Sequence, residues 1–135
     1  MISLTVAQIA QAIDAQVTGD DSSVVTGSVE TDSRLVKAGS LFVAKPGEET
    51  DGHLFAAKAQ HAGAVAVIAE RIIDDVSVPQ LIVKDSVAAL GLLAKFVLAE
   101  IRKQTDLKVI GVTGSNGKTT TKNMLRQVLS TVGKT

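Results

Sequence analysis

Gly111-Val-Thr-Gly-Ser-Asn-Gly-Lys-Thr119 is the stretch on which the reading of this chain turns. An apolar run, Val109-Ile110-Gly111-Val112, enters it, and a helix-patterned segment, Thr120 to Val132, leaves it. Strand, glycine-rich turn, lysine, hydroxyl and helix form the arrangement that holds nucleotide phosphates. Glycines let backbone N–H groups converge on a polyphosphate with no Cβ in the way. Lys118 supplies a compact positive charge, Thr119 offers a hydroxyl to Mg²⁺, and the following helix points its partial positive end at the anion.

The strict pattern is Gly-x-x-x-x-Gly-Lys-[Ser/Thr]. Its first position here is Val112, and the glycines fall instead at Gly111, Gly114 and Gly117. The Gly-Lys-Thr end and the strand–turn–helix context still hold, and they favour phosphate binding over a solvated lysine at a helix start. A second Gly-Lys-Thr, Gly133 to Thr135, lacks that context and carries no weight.

Working outward, the totals bound the remaining choices. The 135 residues carry 14 basic and 14 acidic side chains, so no nucleic-acid surface or charged tail is indicated. The apolar residues are mostly aliphatic, with three Phe and no Trp or Tyr, which suits α/β layers and not aromatic stacking platforms. Without cysteine there is no disulfide, thiolate metal site or Cys nucleophile, and a cytoplasmic protein is expected. The N-terminus, Met1 to Gln8, lacks the basic and apolar regions of a signal peptide. The longest apolar runs, Ala62–Ala69 and Val87–Ala94, are far too short for a membrane span.

Upstream, periodicity predicts a helix over Thr5–Ala15, with Thr5 as its N-cap and Val6, Ile9, Ala10 and Ile13 on one face. Strands are expected at Gln16, across Val24–Thr31, at Leu41–Ala44, Ala64–Ala69 and Gln80–Lys84. Lys45–His53 is rich in turn formers. His53–Ala62 reads as a helix with Phe55, Ala56, Ala59 and Ala62 inward and Gly63 closing it. Asp85-Ser86 should cap a long helix to Gln104, with Val87, Leu90, Ala94, Val97, Leu98 and Ile101 on its apolar face. The expected domain boundary lies at Lys84–Asp85. Residues 1–84 would form a small α/β domain, and 85–135 the opening of a larger α/β nucleotide-binding domain that needs more strands than it has here.

These residues resemble a known family. Thr113-Gly-Ser-Asn-Gly-Lys-Thr-Thr120 looks like the ATP-binding signature of the Mur ligases, which build bacterial peptidoglycan precursors and whose loop does not require a glycine at position 112. Thr31-Asp-Ser-Arg34, Gly39-Ser-Leu-Phe-Val-Ala44, Gly47, Asp51-Gly-His-Leu-Phe55 and Gly63-Ala64 resemble the N-terminal, UDP-binding domain of the MurE and MurF branches. The resemblance covers essentially the whole chain. Ser115-Asn116 and Thr121-Lys122 lean toward the MurF branch, which adds D-alanyl-D-alanine to a UDP-N-acetylmuramoyl-tripeptide.

The resemblance implies the following expectations. ATP and Mg²⁺ would be held by Gly114, Ser115, Asn116, Gly117, Lys118, Thr119 and Thr120, with Lys118 and Thr119 catalytic and Thr119 on the metal. Thr31, Asp32, Ser33, Arg34, Gly47, Asp51 and His53 would bind the UDP-N-acetylmuramoyl-peptide. ATP would phosphorylate the substrate carboxylate, an amine would attack the acyl phosphate, and phosphate would leave a tetrahedral intermediate. The family's later metal-binding acid, modified lysine and amino-substrate domain have no counterpart here, so the 135 residues alone should form no amide. A monomer is expected of the full enzyme.

Plainer readings stand beside these. Asp32–Arg34 could be a turn with an internal ion pair, His53 a cap of its own helix, His61 a solvated helix residue, and Phe42 and Phe55 core. A MurE-type ligase, or a stand-alone UDP-sugar-binding module, is the alternative at the level of function. An unrelated kinase or transport ATPase fits worst, because it expects the strict first glycine and a phosphate loop near the start of its domain.

Overall fold

The computed structural model describes residues 2–47 and 50–133. Glu48 and Glu49 of the turn-rich loop, and Lys134 and Thr135 of the terminal Gly-Lys-Thr, lie outside the described residues. The chain divides into two compact units, Met1–Thr105 and Asp106–Thr135.

The first unit is a mixed α/β domain, as expected. Its elements are β1 (Leu4–Thr5), α1 (Val6–Ile13), β2 (Gln16–Thr18), β3 (Val24–Val25), β4 (Val29–Glu30) and β5 (Ser40–Val43), then a 3-10 turn (Gly52–Phe55), α2 (Ala56–His61), β6 (Ala64–Ala69), β7 (Gln80–Ile82) and α3 (Ser86–Gln104). Five strands form one sheet in the order β2-β7-β6-β5-β4. The four from β7 to β4 run parallel, and β2 is antiparallel on β7.

Period-two alternation divides the core between the two faces of the sheet. Leu41, Val43, Ala66, Ile68 and Leu81 join Val6, Ile9, Ala10 and Ile13 of α1 and Ala89 and Leu93 of α3. Phe42, Ala44, Val67 and Ala69 join Ala56 and Ala59 of α2. Each central strand therefore reads as a continuous apolar run, because helices cover both faces. Thr5 caps α1 in a reciprocal capping box with Gln8: Thr5 Oγ1 accepts from the Gln8 N–H at 3.1 Å, and Gln8 Oε1 accepts from the Thr5 N–H at 2.9 Å.

Several expectations are corrected. The strand read across Val24–Thr31 is two short strands in different sheets, because β3 pairs with β1 and β4 with β5. The break falls at Gly27, whose N–H, with that of Thr26, donates to the Gly39 carbonyl. A Cβ on Gly27 would lie 2.8 Å from Gly39 backbone, so the chains approach this closely only through glycine. The α3 face is also rotated from the predicted one. Ser86, Ala89 and Leu93 are buried, whereas Val87 is 60% exposed and Ala94 is exposed. The helix meets α1 along this stripe. The α3 helix is thus part of the first compact unit, which runs through Thr105.

The second unit holds α4 (Lys118–Leu129), two residues earlier at its start than the pattern suggests. The strand expected at Val109–Val112 does not form. A strand needs a neighbour to take its N–H and C=O groups, and no strand is present among the described residues of this unit.

Candidate functional site

In the first unit, the sequence-predicted residues Thr31, Asp32, Ser33 and Arg34 line one open groove of about 400 Å³ with Thr50, Phe55 and Lys58. The fold explains the place. Thr31–Arg34 leave the carboxyl end of β4, Thr50 lies in the loop beyond β5, and Phe55 and Lys58 start the helical segment that follows. Crevices outside the carboxyl ends of parallel strands are where open α/β sheets bind ligands.

The Asp32–Arg34 turn with an internal ion pair is present. The Arg34 guanidinium donates to both Asp32 oxygens, at 2.9 and 3.1 Å from Nε and 2.6 Å from Nη2, and the Arg34 N–H donates to Oδ1 at 2.9 Å. These bonds, led by the guanidinium, hold the Asp32 carboxyl down to about 2 and raise Arg34. The depressed carboxyl fixes the sign. Pairing favours the folded turn above the unfolded value of about 3.9, and that contribution is lost as pH falls through the folded value near 2. A carboxyl-carbon NMR titration should place the Asp32 midpoint near 2, and Arg34→Gln should move it up toward about 3.9.

Gly47, Asp51 and His53 do not line this groove. His53 is buried at 4% exposure with both ring nitrogens engaged. Nδ1 lies 2.6 Å from Asp51 Oδ1, and Nε2 accepts the Glu70 N–H at 3.0 Å, which assigns the ring proton to Nδ1. Asp51 also accepts from the His53 N–H and from Arg71. The Arg71 guanidinium first, and then the His53 donors, keep the Asp51 carboxyl well below the usual carboxylate range. Glu70 in turn accepts from the Ser86 N–H and hydroxyl at 2.9 and 2.8 Å. This chain of bonds ties the loop before Phe55 to the end of β6 and the start of α3. His61 is exposed, as its plainer reading held.

Phe42 is core at 1% exposure, but Phe55 is not: it is 39% exposed on the groove wall. It lies in the 3-10 turn that precedes α2, where the helical register used to place it inward does not apply. Sequence reasoning also missed Thr50 and Lys58. The three-residue spacing of Phe55 and Lys58 after Asp51-Gly-His53 was the available signal.

In the second unit, Gly114 (φ +142°) and Gly117 (φ +77°) adopt backbone conformations that favour glycine. Gly117 is the N-cap of α4, and the Thr121 N–H takes its carbonyl. The amides of Lys118, Thr119 and Thr120 head the helix with no intrahelical acceptor. Lys118 Nζ donates to the Gly114 carbonyl at 2.5 Å and the Ser115 carbonyl at 3.3 Å. It has no carboxylate partner among the described residues. Lys118, Thr119 and Lys122 line a hollow of about 270 Å³ with Ile110 and Val112, while Gly114–Thr120 are all exposed. Glycine torsions, open amides and a lysine ammonium together fit a polyphosphate. Among the described residues no group of three or more His, Asp or Glu could hold a metal. Among the described residues no helix is long and apolar enough to cross a membrane.

The profile "Mur ligase family, catalytic domain" matches residues 26–97. The UDP-N-acetylmuramoyl-tripeptide–D-alanyl-D-alanine ligase of Escherichia coli K12 is 41% identical over 135 residues, which is all of this chain and 28% of that protein. The UDP-N-acetylmuramoyl-L-alanyl-D-glutamate–2,6-diaminopimelate ligase of Listeria monocytogenes serovar 1/2a is 42% identical over 118 residues, 87% of this chain and 23% of that protein. A crystal structure of MurF from Acinetobacter baumannii superposes with a TM-score of 0.84 at 36% identity, covering 98% of this chain and 28% of that one. The chain thus spans about a quarter of the length of the relatives it matches.

Proposed function

The chain belongs to the Mur ligase family, and from that premise we propose that it is the N-terminal part of a MurF-type ligase. The first unit binds the UDP-N-acetylmuramoyl-tripeptide, and the second supplies the phosphate loop of the ATP site. The amide-forming reaction, with D-alanyl-D-alanine as the incoming amine, belongs to the longer polypeptide, whose remaining length carries the rest of the site. A cytoplasmic, monomeric enzyme is part of the same reading.

ATP with Mg²⁺, when bound, supplies the phosphoryl group that activates the substrate carboxylate as an acyl phosphate. The chain's own residues do the rest of what is assigned here. Gly114 to Gly117 turn backbone N–H groups toward the phosphates, and Asn116 and Ser115 shape the loop. Lys118 would neutralise charge on the bound phosphates, Thr119 would offer its hydroxyl to the metal, and Thr120 would extend the row of helix-start donors. In the first unit, Thr31, Ser33 and Thr50 offer hydroxyls to a polar ligand, while Asp32 and Arg34 form a fixed wall. Gly47, Asp51 and His53 shape and tether the loop beside it.

One observation favours the D-alanyl-D-alanine branch over the diaminopimelate branch. The E. coli D-alanyl-D-alanine ligase aligns with the whole chain, whereas the diaminopimelate ligases of Listeria and Bacillus align with 78–94% of it. The full-length gene product is therefore expected to form an amide from UDP-muramoyl-tripeptide, D-alanyl-D-alanine and ATP, followed by mass spectrometry. Reaction with UDP-muramoyl-dipeptide and diaminopimelate in its place would move the chain to the MurE branch. No amide with either pair would remove the ligase assignment.

A further inference from the structure

We propose that Lys58, and not Arg34, holds the anionic part of the ligand in the groove beyond β4 and β5. The proposal rests on the UDP-substrate reading above and assigns its diphosphate to a side chain that reading leaves out.

An arginine in a groove is the first candidate for a diphosphate, because its fork matches phosphate oxygens. Here the fork is already taken. Arg34 makes three side-chain hydrogen bonds to Asp32, and Asp32 is further fixed by the Arg34 N–H. The hydrogen bonds keep Asp32 ionised down to about pH 2, so an anion approaching Arg34 also meets a full carboxylate charge. The pair presents donors and acceptors but no net attraction for a polyanion.

Lys58 differs on each point. It lines the same groove, and it is exposed. Among the described residues it has no ion-pair partner. Its field reaches Asp32, whose carboxyl it helps to lower. An ammonium on a flexible stem suits a phosphate whose position is set by other contacts. Those contacts are present. Phe55 lies three residues earlier and shows an exposed ring to the groove, so a planar base can pack there while the phosphates reach Lys58. Thr31, Ser33 and Thr50 line the groove beside them. A nucleoside diphosphate, with a flat neutral end and a charged end, matches this arrangement.

The test is the affinity of the chain for UDP and for uridine, by amide-shift titration at two salt concentrations. Lys58→Met should weaken UDP about tenfold and flatten its salt dependence, while uridine changes less than about twofold. Lys58→Arg should restore most of the loss. An Asp32→Asn/Arg34→Gln double variant should keep the wild-type salt dependence of UDP, because it removes no net charge. The proposal is overturned if Lys58→Met leaves UDP unchanged, if it weakens uridine equally, or if the double variant is the one that flattens the salt dependence. In each of those cases UDP binding to the wild-type chain still stands. Wild-type chain that binds neither ligand would instead remove the UDP-substrate reading, and the Lys58 assignment with it.

Discussion

Lys118→Ala in the full-length ligase is expected to lower the rate of ATP-driven amide formation by about 10²–10³-fold, the cost of losing one preorganised donor to developing charge. Among the described residues the Lys118 ammonium bonds the Gly114 and Ser115 carbonyls of its own loop and no side chain, and the residue is exposed. The variant should therefore keep the wild-type melting temperature and its KM for the UDP-linked substrate, with the loss in kcat and in the KM for ATP. Steady-state phosphate release coupled to amide formation reads both. Activity within threefold of wild type would mean that the Gly111–Thr119 loop does not hold the transferred phosphate.

Phe42→Ala is the largest expected loss of stability, about 3–5 kcal/mol by urea unfolding of the chain. Phe42 is the largest fully buried side chain, on the interior strand β5, between β4 and β6. Its neighbours Ala44, Ala56, Ala59, Ala64 and Ala69 are too short to close on the hole it leaves. The cost should thus fall toward the upper end of that range, a large share of the total stability of about 5–15 kcal/mol for a domain. A change below about 1 kcal/mol would show that this face of the sheet does not carry the fold.

The sequence showed the α/β class because the signals behind it are local. Ala64–Ala69 is apolar throughout since helices cover both of its faces, and Thr5 with Gln8 announces the start of α1. Gly114 and Gly117 were legible as turn glycines, and their positive φ angles agree. What escaped depends on partners distant in sequence. The break at Gly27 is set by Gly39, and the Phe55 ring faces the groove because a 3-10 turn precedes α2. Both ring nitrogens of His53 are used inside the fold, one of them by the Glu70 N–H, and no spacing rule links those residues. The Asp32–Arg34 pair was visible as a possibility, but its bearing on the groove was not. Only coordinates show the same fork facing the site and already engaged.

Titration of the chain with UDP-N-acetylmuramoyl-tripeptide, followed by amide chemical shifts, tests the central claim most directly. Shifts concentrated at Thr31–Arg34, Thr50, Phe55 and Lys58, with Gly111–Thr119 unmoved, are the predicted result. No response, or a response confined to Gly111–Thr119, would contradict the assignment of the first unit as the site of the UDP-linked substrate.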